Sequence, residues 1–76
     1  MTFGMFIRAE RLRLGLGQDA FARRAFMGRT HVSLLERDKR NPRLDTLVWI
    51  ARALDLTPAQ LVAGWWHTCD EGTLGG

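Results

Sequence analysis

Breaks limit this chain more than its hydrophobic runs do. Gly15 with Gly17, the Phe26-Met27-Gly28 triplet, the polar stretch Asp38-Lys39-Arg40-Asn41-Pro42 and the pair Thr57-Pro58 cut it into five pieces, each about three helical turns or less. Within the pieces apolar residues recur at helical spacing and show no sustained alternation, so helices are expected and strands are not. The first helix is expected from Gly4 to Leu14, with Met5, Ala9, Leu12 and then Leu16 as its inner stripe. The second begins at Gln18, with Asp19 favouring the positive end of the helix dipole, and buries Phe21, Ala22 and Ala25. The third runs from Arg29 to Arg37 over Val32 and Leu35. The fourth runs from Leu44 to Leu54 over Leu44, Leu47, Val48, Ala51 and Leu54. Thr57, Pro58 and Gln60 stand at the N-cap, N1 and N3 positions of a capping box, which starts a fifth helix that Gly64 is expected to end.

With 76 residues the chain has room for one small core, and 46% hydrophobic with 25% charged residues is the balance of a folded chain. Residues 1–64 are read as one all-α domain and residues 65–76, glycine-rich and aperiodic, as a C-terminal tail that frays. Cys69 is the single cysteine, so no internal disulfide forms and a reducing cytoplasm is the expected location. No apolar run approaches the roughly 20 residues that span a bilayer, so a membrane partner is not expected.

The net charge of +3 hides a division. Residues 1–43 carry ten Lys/Arg against four Asp/Glu, a net +6, and residues 44–76 carry Arg52 against four acids, a net −3. A basic half built almost wholly from arginine suits a polyanion offering phosphates and guanine edges. Two short helices joined by a brief turn, the second amphipathic and followed by a basic loop, have the sequence form of a helix-turn-helix. On a helical wheel Val32 and Leu35 point inward, while Arg29, Thr30, Ser33 and Arg37 share the outer side with Leu34 at its edge. Arg29 can bond guanine N7 and O6, Thr30 and Ser33 can bond either base type, and Leu34 can contact a thymine methyl. Gln18 would lie at a helix N-terminus, a position suited to phosphate.

Leu16-Gly17-Gln18, Phe21-Ala22, Arg29-Thr30-His31-Val32-Ser33, Leu35-Glu36-Arg37, Lys39-Arg40-Asn41-Pro42 and Leu44-Asp45-Thr46-Leu47 together resemble the phage-repressor (Cro/CI, or XRE) helix-turn-helix family. Within it, the stretch from Arg29 to Asn41 is most similar to controller proteins of restriction-modification systems. The resemblance implies a compact five-helix lambda-repressor-like fold and a transcriptional regulator, controller or repressor. It implies that Gln18, Lys39, Arg40, Asn41 and Arg43 hold phosphates, that Arg29, Thr30 and Ser33 face bases, and that Arg11 and Glu36 form a structural ion pair; Arg37, on the outer side of the third helix, is counted with the phosphate-binding residues. Phe26 departs from the family, which commonly has glycine in the turn at that place. Either the turn differs here or a phenylalanine is held at positive φ.

Other chemistry has little support in the chain. His67, Cys69, Asp70 and Glu71 supply too few fixed ligands for a metal site, and Cys69 lacks a placed histidine for nucleophilic catalysis, so neither a metal, a cofactor, a small-molecule substrate nor an enzyme activity is expected. Trp49 lies opposite the inner stripe of its helix, and Trp65 and Trp66 follow the fifth helix. These three indoles are read as a homodimer interface, with a Trp65-Trp66 cap on the chain's own core as the alternative. The resulting expectation is a homodimer on double-stranded DNA at a pseudo-palindromic operator. The competing reading is an antitoxin-like interaction module whose DNA binding is incidental and indifferent to sequence.

Overall fold

The computed structural model describes residues 1–70. It contains α1 (Phe3–Arg13), α2 (Gln18–Arg24), α3 (Arg29–Glu36), α4 (Leu44–Ala53) and α5 (Pro58–Asp70), with no strand among the described residues. α2 packs on α3 and α4, α1 packs on α3, and α4 packs on α5. Phe6, Ile7, Phe21, Ala22, Ala25, Val32, Leu35, Ile50, Ala51, Ala53, Leu54 and Leu61 form one buried core to which every helix contributes. α2 and α3 have seven and eight residues, too few to persist alone, so this shared core is what keeps them helical.

The helix ends follow one pattern. α1 to α4 each close with a left-handed residue one place beyond the C-cap: Gly15, Phe26, Asp38 and Asp55, with φ of 73°, 54°, 58° and 59°. In each case the next amide reaches back across the last turn, Leu16 to Arg11, Met27 to Ala22, Lys39 to Leu34 and Leu56 to Ala51, at 2.8–3.1 Å. This is the Schellman closure, which satisfies carbonyls that the helix leaves open. At the start of α5, Thr57 N–H donates to Gln60 Oε1 and Gln60 N–H donates to Thr57 Oγ1, at 2.9 and 3.1 Å, completing the capping box.

Three sequence expectations need correction. The inner face of α1 is Phe3, Phe6, Ile7, Arg11 and Leu14, whereas Met5 and Leu12 are about half exposed, at 52% and 51%. Arg11 is the reason: a buried arginine in the middle of the stripe breaks the apolar pattern that periodicity follows. In α4 the buried face is Ile50, Ala51 and Ala53 with Leu47 beside it, while Leu44 is 83% exposed and Val48 also faces outward. Finally, α5 runs through Gly64 to Asp70, so residues 65–70 belong to the helix and not to a tail. A Cβ at Gly64 would lie 2.9 Å from Phe6 Cζ, so this glycine admits a neighbouring ring and does not stop the helix. The expected fraying of residues 71–76, Glu71 included, falls outside the described residues.

Candidate nucleic-acid interface

α3 is held from behind by ions. Arg11 on α1 donates to both oxygens of Glu36 on α3, Nε to Oε2 at 2.6 Å and Nη2 to Oε1 at 2.9 Å, with side chains only 7% and 3% exposed. Arg11 Nη1 also donates to Leu16 O at 2.9 Å, so the same guanidinium fixes the chain leading into α2. The hydrogen bonds to Glu36 hold the Arg11 guanidinium charged and raise its pKa, against the opposing effect of burial. Two charges at this depth are tolerated because each is met by the other in bidentate geometry.

Gln18 extends this network toward the surface. Its Nε2 donates to Glu36 Oε1 at 3.1 Å and its Oε1 accepts a long bond from Arg29 Nε at 3.5 Å. Arg29 also lies 3.7 Å from Asp19 Oδ1. Gln18 is therefore half-buried and joins the α1–α3 ion pair to the first residue of α3, with the second proton of its Nε2 still available to a phosphate. Arg29 and Thr30 are exposed, and Ser33 and Leu34 are half-buried along the same helix. Arg37 is exposed and donates from Nε to Ser33 O at 3.3 Å. One face of α3 thus presents a guanidinium, two hydroxyls and an apolar side chain over a rigid base, a set that can discriminate base edges.

Beside this face the loop after α3 builds a second region. Arg40, Asn41 and Arg43 gather with His31, Asp45 and Thr46 around an open cleft of about 320 Å³. Arg43 is the N-cap of α4 and makes no side-chain capping bond; in the first turn Thr46 N–H donates to Asp45 Oδ1 at 2.8 Å. Two cations, a carboxamide and a helix N-terminus are a phosphate-binding combination. Lys39, exposed in the same loop, is outside the cleft lining. Sequence reasoning missed Thr46 and Asp45, whose only signal was their place in the first turn of a helix that follows a basic loop.

The turn between α2 and α3 keeps positive φ at Phe26. The ring is 78% exposed and touches the chain edge-on at Trp49, with centroids 5.1 Å apart. Arg52 sits 5.5 Å from the centroid of the same Trp49 ring, so this indole, though exposed, meets an aromatic edge contact and a guanidinium of its own chain. Trp65 turns inward, edge-on to Phe3 at 5.6 Å with its Nε1 buried and unpaired, and Trp66 is 50% exposed. Of the three indoles, Trp65 is the one that the chain's own core takes up. Arg24 bonds Asp55 across the exposed ends of α2 and α4 at 3.2 Å. No helix among the described residues is long and apolar enough to cross a membrane.

A helix-turn-helix family model matches residues 7–61. Among solved structures, the restriction-modification controller protein C.AhdI from Aeromonas hydrophila is similar at 36% identity, covering 78% of this chain and 89% of that one with a TM-score of 0.74. The DNA-binding domain of the P22 c2 repressor is similar at 28% identity, with 84% of each chain covered and a TM-score of 0.78. The restriction-modification controller protein C.Esp1396I is similar at 25% identity over 86% of this chain and 84% of that one, also with a TM-score of 0.78. No curated protein matches the chain. The five helices, the turn at Phe26 and the match over most of the length agree: this chain belongs to the helix-turn-helix family of the Cro/CI (XRE) type.

Proposed function

We infer that this protein is a sequence-specific, non-enzymatic transcriptional regulator of the controller or repressor type. It places α3 in the major groove of double-stranded DNA and binds a pseudo-palindromic operator as a homodimer. The observation that carries this reading is the tethering of α3. The buried Arg11–Glu36 pair fixes its inner side, while Arg29, Thr30, Ser33 and Leu34 are offered on its outer side, next to the cationic cleft of Arg40, Asn41 and Arg43. In this division of labour the α3 residues read bases. Gln18, Arg37, Lys39, Arg40, Asn41 and Arg43 hold phosphates and fix the register. The similarity to two restriction-modification controllers and a repressor's DNA-binding domain supports the same assignment.

The homodimer reading rests on apolar side chains left outside the core. Leu44, Val48 and Trp49 on α4 and Val62 and Trp66 on α5 are all exposed, and they belong to the acidic half of the sequence. Trp49 and Trp66 are the proposed anchors, while Trp65, expected with them, packs on Phe3 in the chain's own core. A two-fold axis through this surface would set two α3 helices about 34 Å apart, one helical turn of DNA. Selection of bound fragments from random duplex DNA tests the reading. It should return two inverted half-sites with centres about 10 base pairs apart. A pool that stays unenriched while still binding at low salt would leave the incidental binding of an interaction module in its place.

A further inference from the structure

Asp38 is an anomaly in the basic half. It is a carboxylate one residue before Lys39-Arg40, it has a left-handed backbone at φ 58°, and it is exposed. An acid beside a phosphate-binding loop opposes DNA binding by simple Coulomb repulsion, and its backbone conformation is one that glycine adopts more easily. Its hydrogen bonds account for its presence. Oδ2 accepts from Thr2 Oγ1 at 2.6 Å and Oδ1 accepts from Gly4 N–H at 3.0 Å, so one carboxylate caps the N-terminus of α1 from the C-terminal end of α3. Thr2 Oγ1 in turn accepts from Met5 N–H at 3.1 Å, completing the cap. The two helix ends meet so closely that a Cβ on Gly4 would collide with Leu35 O and lie 2.7 Å from Glu36 O and 2.8 Å from Asp38 Oδ1. Only glycine fits there.

The loop that follows has little else beneath it. Asp38, Arg40, Asn41 and Pro42 form one wall of an apolar groove of about 290 Å³, whose other walls include Phe3, Leu47, Val62 and Trp65. Where it borders the groove the loop has open space beside it, with Pro42 half-buried. Backbone bonds hold its two ends, Asp38 N–H to Leu35 O and Lys39 N–H to Leu34 O at the close of α3 and Leu47 N–H to Arg43 O at the start of α4, and the Asp38 carboxylate ties its first residue to α1.

We propose that Asp38 is a positioning residue for DNA binding: by pinning the end of α3 to the N-terminus of α1 through Thr2 and Gly4, it aims Arg40 and Asn41 at the phosphate backbone, beside Arg43, which α4 holds. The proposal rests on the loop's phosphate role stated above. Two variants that remove the same charge separate positioning from electrostatics. Asp38→Asn keeps an acceptor for Gly4 N–H, keeps a side chain that can pair with the Thr2 hydroxyl, and tolerates left-handed φ. Asp38→Gly relieves the backbone and abolishes the anchor.

Affinity for a short mixed-sequence duplex is measured by fluorescence anisotropy across a salt series, with circular dichroism establishing that each variant is folded at the assay temperature. Asp38→Asn should bind as tightly as the parent or more tightly, with an unchanged salt slope. Asp38→Gly should bind roughly three- to tenfold more weakly, with the slope lowered by about one unit for each phosphate that the loop no longer reaches. Repulsion alone predicts that both variants tighten, and equal affinities for Asp38→Gly and Asp38→Asn would overturn the proposal. Arg40→Ala and Arg43→Ala in the parent chain locate any failure. If they weaken binding and Asp38→Gly does not, positioning is wrong and the loop's role stands. If they too leave affinity and slope unchanged, both fall.

Discussion

Replacing Arg11 with methionine tests the central support of α3 most directly. The guanidinium makes three hydrogen bonds, two to Glu36 and one to Leu16 O. In its absence the Glu36 carboxylate stays buried with Gln18 Nε2 as its remaining donor, at 3.1 Å. Breaking a buried pair on one side costs about 3–5 kcal/mol, because the abandoned charge keeps its desolvation penalty and loses its compensation. A domain of this size has about 4–11 kcal/mol of stability in total, so Arg11→Met should bring it close to unfolding. With roughly 4–8 °C of melting temperature per kcal/mol, the fall should be at least about 12 °C by thermal circular dichroism. Removing both charges behaves differently. Arg11→Met with Glu36→Leu leaves no orphaned ion, and the double variant should recover most of the loss, to within about 1–2 kcal/mol of the parent in urea titrations. A single substitution costing less than about 1 kcal/mol would refute the buried-charge reasoning. So would a double variant as unstable as the sum of the two singles.

Other expectations follow from the same geometry. Gly64→Ala should destabilise by about 1–3 kcal/mol in chemical denaturation, because the added methyl meets the Phe6 ring at 2.9 Å. Phe26→Gly removes a left-handed strain of about 1–2 kcal/mol but also an edge-to-face contact with Trp49 of about 0.5–1.5 kcal/mol, so the parent chain should change little. In a Trp49→Ala background the same substitution should stabilise by about 1 kcal/mol, which a double-mutant cycle measures. On the selected operator, Arg29→Ala should relax preference at particular base pairs by about 1–3 kcal/mol, while Arg40→Ala should weaken all sequences alike and lower the salt slope by about one unit. Trp66→Ala should raise the concentration needed for self-association in sedimentation equilibrium, and an unchanged dimer would remove Trp66 from the interface.

The legible parts of this fold were those in which side-chain pattern and backbone need coincide. α2 and α3 start directly after Gly17 and Gly28 and α4 starts just past Pro42, and Thr57 with Gln60 forms the capping box that its spacing implies. Legibility failed where one residue served tertiary packing. Arg11 interrupts the apolar stripe of α1 because its partner is a carboxylate 25 residues away, and no local pattern records that. Gly64 reads as a stop and is a seat for Phe6, since a close approach leaves no trace in the glycine itself. The candidate base-reading residues were readable from the outer side of α3, which is a property of one helix. The anchoring by Asp38 was not, because it joins the loop to residues 34 and 36 positions earlier.

The four Schellman closures have a consequence for how the sequence can change. Because the closing bonds come from backbone amides, the left-handed residue contributes no side chain to the stop itself and its identity is open. At Gly15 that freedom goes unused; at the other three ends the side chain that glycine would lack makes a contact, Phe26 with Trp49, Asp38 with Thr2 and Gly4, Asp55 with Arg24. Each is a position where a punctuation mark has become a word. Glycine placed at these three sites would make the helix ends more comfortable while severing links between the turn, the loop and the neighbouring helices. Glycine at Phe26, close to neutral for stability, would pass a scan for stability alone while parting the turn from α4.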